Sequence, residues 1–92
     1  MMISVGYENY VNSRDVVSII QYDSSPAKKL RLSANEERML INATSGRKGR
    51  SILIMKSNHI IISAVQTETL KSKINKNIMQ EGAWNERYRE RG

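Results

Sequence analysis

Cysteine and phenylalanine are absent from these 92 residues, and histidine and proline each occur once. Without cysteine there is no disulfide to staple the fold and no thiolate to serve as nucleophile, which fits a reducing compartment. A lone histidine leaves a structural zinc site short of its usual ligands, so neither a metal nor a cofactor is expected. Bulky aromatics are scarce, with one Trp and four Tyr. The apolar runs stop far short of the ~20 residues a membrane span needs. The first ten residues carry no charged stretch followed by a long apolar one, so no secretory leader is expected. Acids are also outnumbered: 15 Lys and Arg against 9 Asp and Glu give a formal net charge of +6 and a pI near 9.9. The expectation is a cytoplasmic chain attracted to polyanions, although charge alone does not separate DNA from RNA or anionic lipid.

The length suits a single domain, which hides roughly two-thirds or less of the surface its unfolded chain exposes. Residue patterns predict short strands at 3–7 and 10–11, with Gly6 and Asn9 marking a bulge or turn between them. Further strands are expected at 16–22, 39–44, 51–56 and 60–65, with Lys56-Ser57-Asn58-His59 as a hairpin loop. A helix is predicted to begin with Ser25 as N-cap and Pro26 as first helical residue. Its thin apolar stripe is Ala27, Leu30 and Ala34, and it ends near Glu37 or Arg38. A second helix starts near Gln66 or Thr67, carries Leu70, Ile74 and Ile78 on one side, and reaches Gly82 as a C-cap residue. The fold class is α+β: one small domain over residues 1–82, with five or six mostly antiparallel strands and two helices, followed by a tail at 83–92. Ile52-Leu53-Ile54-Met55 and Ile60-Ile61-Ile62 are apolar at consecutive positions, and such strands want cover on both faces. Two modest helices are expected to cover one face, so a subunit interface is expected on the other and the chain should be a homo-oligomer.

Gly46-Arg47-Lys48-Gly49-Arg50 joins two glycines to three cations between two apolar runs. It is not a nucleotide-binding P-loop: Thr44 stands where the first glycine should, Arg50 replaces the lysine, and a strand follows instead of a helix. What remains is a loop carrying Arg47, Lys48 and Arg50, with Thr44 and Ser45 as hydroxyl donors. Guanidinium forks match phosphate oxygens, and glycine lets backbone N–H groups approach them. Composition leaves a merely solvated turn equally open. Lys28, Lys29 and Arg31 fall in the first turns of the first helix, against its dipole at a cost of some tenths of a kcal/mol each. Cations placed there point to an anionic ligand, while tolerance of exposed lysines is the plain alternative. Arg14 is either another cationic contact or the partner of Asp15. Lys71, Lys73 and Lys76 read as the solvated side of the last helix, and His59 as a residue of its hairpin loop. The adjacent Glu36-Glu37 do not share a helix face, and no nucleophile–base arrangement stands out, so no enzymatic activity is expected.

Gly6-Tyr7-x-Asn9, Ser24-Ser25-Pro26 with Lys28-Lys29, and Leu40-Ile41-x-Ala43-Thr44-x-Gly46-Arg47-Lys48 occur in that order. They continue into Arg50, Asn58-His59-Ile60-Ile61 and Ser63-Ala64-Val65-Gln66-x-Glu68-Thr69. In joint order and spacing, over about residues 3–70, the chain resembles the RemA-like family, which contains bacterial extracellular-matrix regulatory proteins. The resemblance implies a DNA-binding transcription regulator without catalytic activity, its α/β subunit related to LytTR-type domains and assembled into homo-oligomeric rings around which DNA bends. The family's DNA-contacting basic pair falls on Arg47 and Lys48. The chain departs from the family pattern at several positions. Asp15 stands where the family has arginine, with Arg14 one place earlier. Asn42 replaces an aspartate, Arg38 a helix-ending glycine, Gly49 a threonine and Thr67 a proline.

The reading is a cytoplasmic, nucleoid-associated regulator that binds double-stranded DNA through Arg47, Lys48, Arg50, Arg14, Lys28 and Lys29. An RNA-binding module is the first rival, disfavoured by the shortage of stacking aromatics. A non-enzymatic scaffold for an acidic partner is the second.

Overall fold

A computed structural model describes residues 1–81, with side chains through Lys76. The predicted tail at 83–92 and the Gly82 cap lie outside the described residues. β1 (Met2–Gly6) and β2 (Asn9–Asn12) form an antiparallel hairpin. A 3-10 turn, Ser13–Asp15, follows, with the Asn12 side chain accepting from the Arg14 N–H at 3.0 Å. Then come β3 (Val16–Gln21), α1 (Ser25–Glu36), β4 (Leu40–Asn42), β5 (Ser51–Met55), β6 (Ile60–Ser63) and α2 (Thr67–Glu81).

β3 to β6 make one sheet in the order β3-β5-β6-β4. The β3–β5 and β5–β6 pairings are antiparallel, and β4 runs parallel to β6. The α+β expectation holds in a mixed sheet beside a hairpin. Because β3 and β4 run the same way at opposite edges, α1 crosses from one edge to the other. The ends of β3, β4 and β6 and the start of β5 therefore meet at one end of the sheet. The loop at 43–50 and the first turns of both helices gather there.

Side chains of β5 and β6 alternate between two cores. Ile52 and Ile60 pack with Ala27 and Ala34 of α1, joined by Ile20, Tyr22, Leu40 and Ile54. Leu53, Met55 and Ile61 pack with Ile3, Val5 and Val11 of the hairpin and Leu70 of α2. Both faces of the consecutive apolar runs are thus covered within one chain, which corrects the premise that a subunit interface must supply the second cover. The hairpin is what that premise left out. Ile52, Leu53 and Leu70 are fully buried, each contributing about 1.5–3 kcal/mol.

The N-cap of α1 is Ser24, not Ser25: the Ser24 hydroxyl accepts from the Ala27 N–H at 3.3 Å and donates to the Gln21 carbonyl at 2.9 Å. Ser25 and Pro26 become the first two helical residues, where proline's missing N–H has no intrahelical partner to lose. The helix ends in a Schellman motif. Met39 N–H reaches the Ala34 carbonyl at 2.7 Å and Arg38 N–H the Asn35 carbonyl at 3.2 Å, with Arg38 at φ +60°.

Candidate nucleic-acid interface

Thr44-Ser45-Gly46-Arg47 is a tight turn closed by the Arg47 N–H on the Thr44 carbonyl at 3.0 Å. Ser45 at φ +53° and Gly46 at φ +80° give it the mirror-image type I′ geometry. Both ends of the loop are pinned to β6, through Ala43 N–H on the Ile62 carbonyl and Arg50 N–H on the Ser63 carbonyl, each at 2.8 Å. Thr44 is only 3% exposed, and its N–H and hydroxyl both reach Asn42 Oδ1, at 3.0 and 2.6 Å. Its predicted role as a hydroxyl donor to ligand is therefore corrected: it anchors the turn. Asn42 does this with its carbonyl oxygen, an acceptor that the family's aspartate would also offer.

Gly49 is there for space. A Cβ at this position would meet two carbons of the Tyr22 ring at 2.7 Å and Ile62 Cγ2 at 3.0 Å. The ring cannot easily retreat, because the Arg31 guanidinium lies 3.9 Å from its centroid and donates to its hydroxyl at 2.8 Å. Arg31, read from sequence with the cations facing an anionic ligand, is thereby committed to holding Tyr22. Its Nε is buried without a hydrogen-bond partner among the described residues. Lys73 is likewise not simply solvated: its ammonium donates to the Ser4 carbonyl at 3.0 Å, tying α2 to β1.

Arg47, Lys48 and Arg50 stand exposed on this pinned loop, and none of them makes an ion pair with another described residue. Lys28 and Lys29 are exposed in the early turns of α1, which starts from the same end of the sheet. Arg14 is not brought to them. It sits before β3, where Lys56 N–H meets the Asp15 carbonyl, while Tyr22 N–H meets the Arg50 carbonyl at the other end. The length of β3 separates these ends by roughly 17–20 Å at ~3.3 Å per residue. His59 stays in its hairpin loop, its Nδ1 2.7 Å from the Ser57 hydroxyl.

Acids border the loop. A polar groove of about 260 Å³ is lined by Gln21, Asp23, Lys48, Gly49, Arg50, Gln66, Thr67 and Glu68. Gln21 Nε2 donates to Thr67 Oγ1 at 3.0 Å across its floor, joining the end of β3 to the start of α2. Glu68 pairs loosely with Lys71 at 3.7 Å, leaving the loop cations to solvent. Among the described residues no three His, Cys, Asp or Glu side chains gather as metal ligands, and no helix is long and apolar enough to cross a membrane.

Sequence reasoning missed one neighbour of the loop. The β1–β2 turn places Tyr7 beside it, with the Arg47 guanidinium 6.0 Å from the ring centroid. The available signal was Tyr-Glu in the middle of a tight turn, where Asn-Gly is the usual pair.

This surface, with three exposed cations on a loop pinned to β6, belongs to a chain whose relatives are regulatory in name. A protein of Nitratidesulfovibrio vulgaris (strain DP4), carrying the name "Putative regulatory protein", is 49% identical over 69 residues, 75% of this chain and 80% of its own length. One of the same name from Thermosipho melanesiensis is 41% identical over 91 residues, 99% of this chain and 97% of its own. Another from Fervidobacterium nodosum is 47% identical over 72 residues, covering 78% and 77%. A family model described as extracellular matrix regulatory protein A-like matches residues 2–74, and the chain belongs to this RemA-like family.

Proposed function

We propose that the protein is a DNA-binding transcription regulator that works as a cyclic homo-oligomer in the cytoplasm, on the nucleoid. The observation that carries this reading is the loop itself: Arg47, Lys48 and Arg50 are exposed and, among the described residues, without ion pairs, on a loop whose ends are tied to β6. Exposed cations attract phosphate over a Debye length of about 8 Å at physiological salt. One protomer neutralises about two or three phosphates and binds weakly; repetition around a ring turns weak contacts into avidity. The surface is a loop beside two helix starts, and its sequence preference comes from DNA bendability and groove width. Arg14 contributes only where another protomer's loop approaches it.

Support for assembly comes from the sheet edges. Leu32 is 68% exposed on α1, in an open groove of about 500 Å³ that Leu40 and Ile62 also line, and Ile41 is 45% exposed on the edge strand β4. Val17 is 63% exposed on the opposite edge strand, β3. Two different apolar edges suit a head-to-tail contact, which closes into a ring when the rotation permits.

The double variant R47A/K48A should lose the electrophoretic shift of promoter DNA while keeping the oligomeric mass of the parent. If it shifts DNA normally, the loop is not the binding surface. Competition between duplex DNA and single-stranded RNA separates this reading from an RNA-binding module.

A further inference from the structure

The hairpin turn beside the loop is built from residues poorly suited to it. Tyr7 sits at φ +51° and Glu8 at φ +63°, both in the left-handed region, where side chains other than Gly, Asn and Asp are uncommon. Gly6 before them is at φ +104°, and a Cβ there would press on Val65 Cγ2 at 3.3 Å. The turn is nevertheless held firmly. Asn9 Nδ2 donates to the carbonyls of Gly6 at 3.0 Å and Tyr7 at 3.1 Å. The buried Ser63 hydroxyl donates to the Val5 carbonyl at 2.8 Å and accepts from the Val65 N–H at 3.0 Å, so β1 is tied to the end of β6. β6 also anchors both ends of the basic loop. Tyr7 and Arg47 are thus carried by two tight turns fixed to one strand, 6.0 Å apart from ring centroid to guanidinium carbon.

A strained position occupied by an exposed aromatic calls for a reason beyond the turn. Stability does not supply one: Asn in place of Tyr7 would suit the backbone better, and half of the tyrosine surface, 50%, is open to solvent. At 6.0 Å from the Arg47 guanidinium, its ring lies at the outer limit of a cation–π contact. Its hydroxyl is a neutral donor, able to bond phosphate where the exposed Glu8 beside it would only repel.

We propose that Tyr7 is a contact and positioning residue of the DNA-binding surface: its ring face steadies the Arg47 guanidinium, and its phenol donates to a backbone phosphate next to the one Arg47 holds. This rests on the DNA-binding reading above, and it adds to the basic loop a residue from a different part of the chain.

The decisive variant is Y7N, which relieves the backbone while removing the ring and the phenol. Its Tm should match or exceed that of the parent. Its affinity for the promoter duplex, by fluorescence anisotropy, should fall at least about 10-fold. The slope of log K against log salt should stay unchanged, because no cation is removed. Y7F keeps the ring and should lose only about 3-fold, the effect of one hydrogen bond. A structural role alone would lower Tm together with affinity. If Y7N binds DNA as tightly as the parent while R47A does not, the Tyr7 assignment falls and the loop assignment stands. If parent and R47A both fail to bind, the DNA reading itself falls.

Discussion

Arg38 occupies a backbone position that favours glycine. It is the residue after the helix cap, at φ +60°, and its conformation lets Met39 and Arg38 close the two hydrogen bonds of the Schellman ending. A side chain in the left-handed region costs of order 1 kcal/mol or more, while glycine loses about 0.5–1 kcal/mol of backbone entropy elsewhere in regular structure. Here the first term should win, because the position is already outside the helix and the side chain is exposed. R38G is therefore expected to stabilise the domain by about 1 kcal/mol, a rise in Tm of roughly 4–8 °C for a domain of this size. The melt is compared at one protein concentration, since assembly would make Tm depend on it. An unchanged or lower Tm would show that the Arg38 side chain makes a compensating interaction. DNA affinity should not change, because Arg38 lies beyond the C-terminal end of α1, away from the basic loop.

At the scale of elements, the loop at 43–50 is shaped by what lies beneath it. G49A would drive a methyl group into the Tyr22 ring, and Tyr22 is clamped from its face by Arg31. Overpacking of this kind costs about 1–3 kcal/mol, and the same displacement should move Lys48 and Arg50, weakening DNA binding without removing a charge. Urea unfolding and binding at matched salt check both effects; full stability with full binding would mean that the loop yields freely. Much of this framework was legible beforehand. The strands followed from the apolar runs, the helix starts from Ser-Ser-Pro and from residues 66–67, and the exposed loop cations from their glycine setting. The N-cap slipped by one residue because Ser24 and Ser25 are chemically alike and proline is accepted at either of the first two helical positions. Long-range packing was not legible. Local pattern gives the hairpin its strands but not the sheet face it covers. It cannot reveal that Thr44, Arg31 and Lys73 turn inward to Asn42, Tyr22 and Ser4, or that Tyr7 meets Arg47 from forty positions away.

For the molecule as a whole, coverage of both sheet faces moves the question of assembly to the edges. β3 has a bulge between Val16 and Ser18, and β4 is three residues long, so neither is a good template for adding a strand. The contact between copies should therefore be made by side chains, with Ile41 from the β4 edge meeting Val17 from the β3 edge. That arrangement is heterologous, and it differs measurably from a two-fold contact in which one edge meets itself. I41E and V17E should each dissociate the proposed ring to a folded monomer by sedimentation, with far-UV dichroism retained. Mixed in equal amounts, the two variants still offer one intact pair of edges, so the mixture should form a dimer and go no further. A two-fold contact would behave otherwise: one variant would dissociate, the other would not, and mixing would restore nothing new. DNA binding reports on the same geometry. A monomer neutralising two or three phosphates should show a slope of log K against log salt near −2 to −3, and the ring a slope steeper by the number of loops that reach the duplex. If I41E binds DNA with the parent's slope, the loops act singly and the ring has no part in recognition.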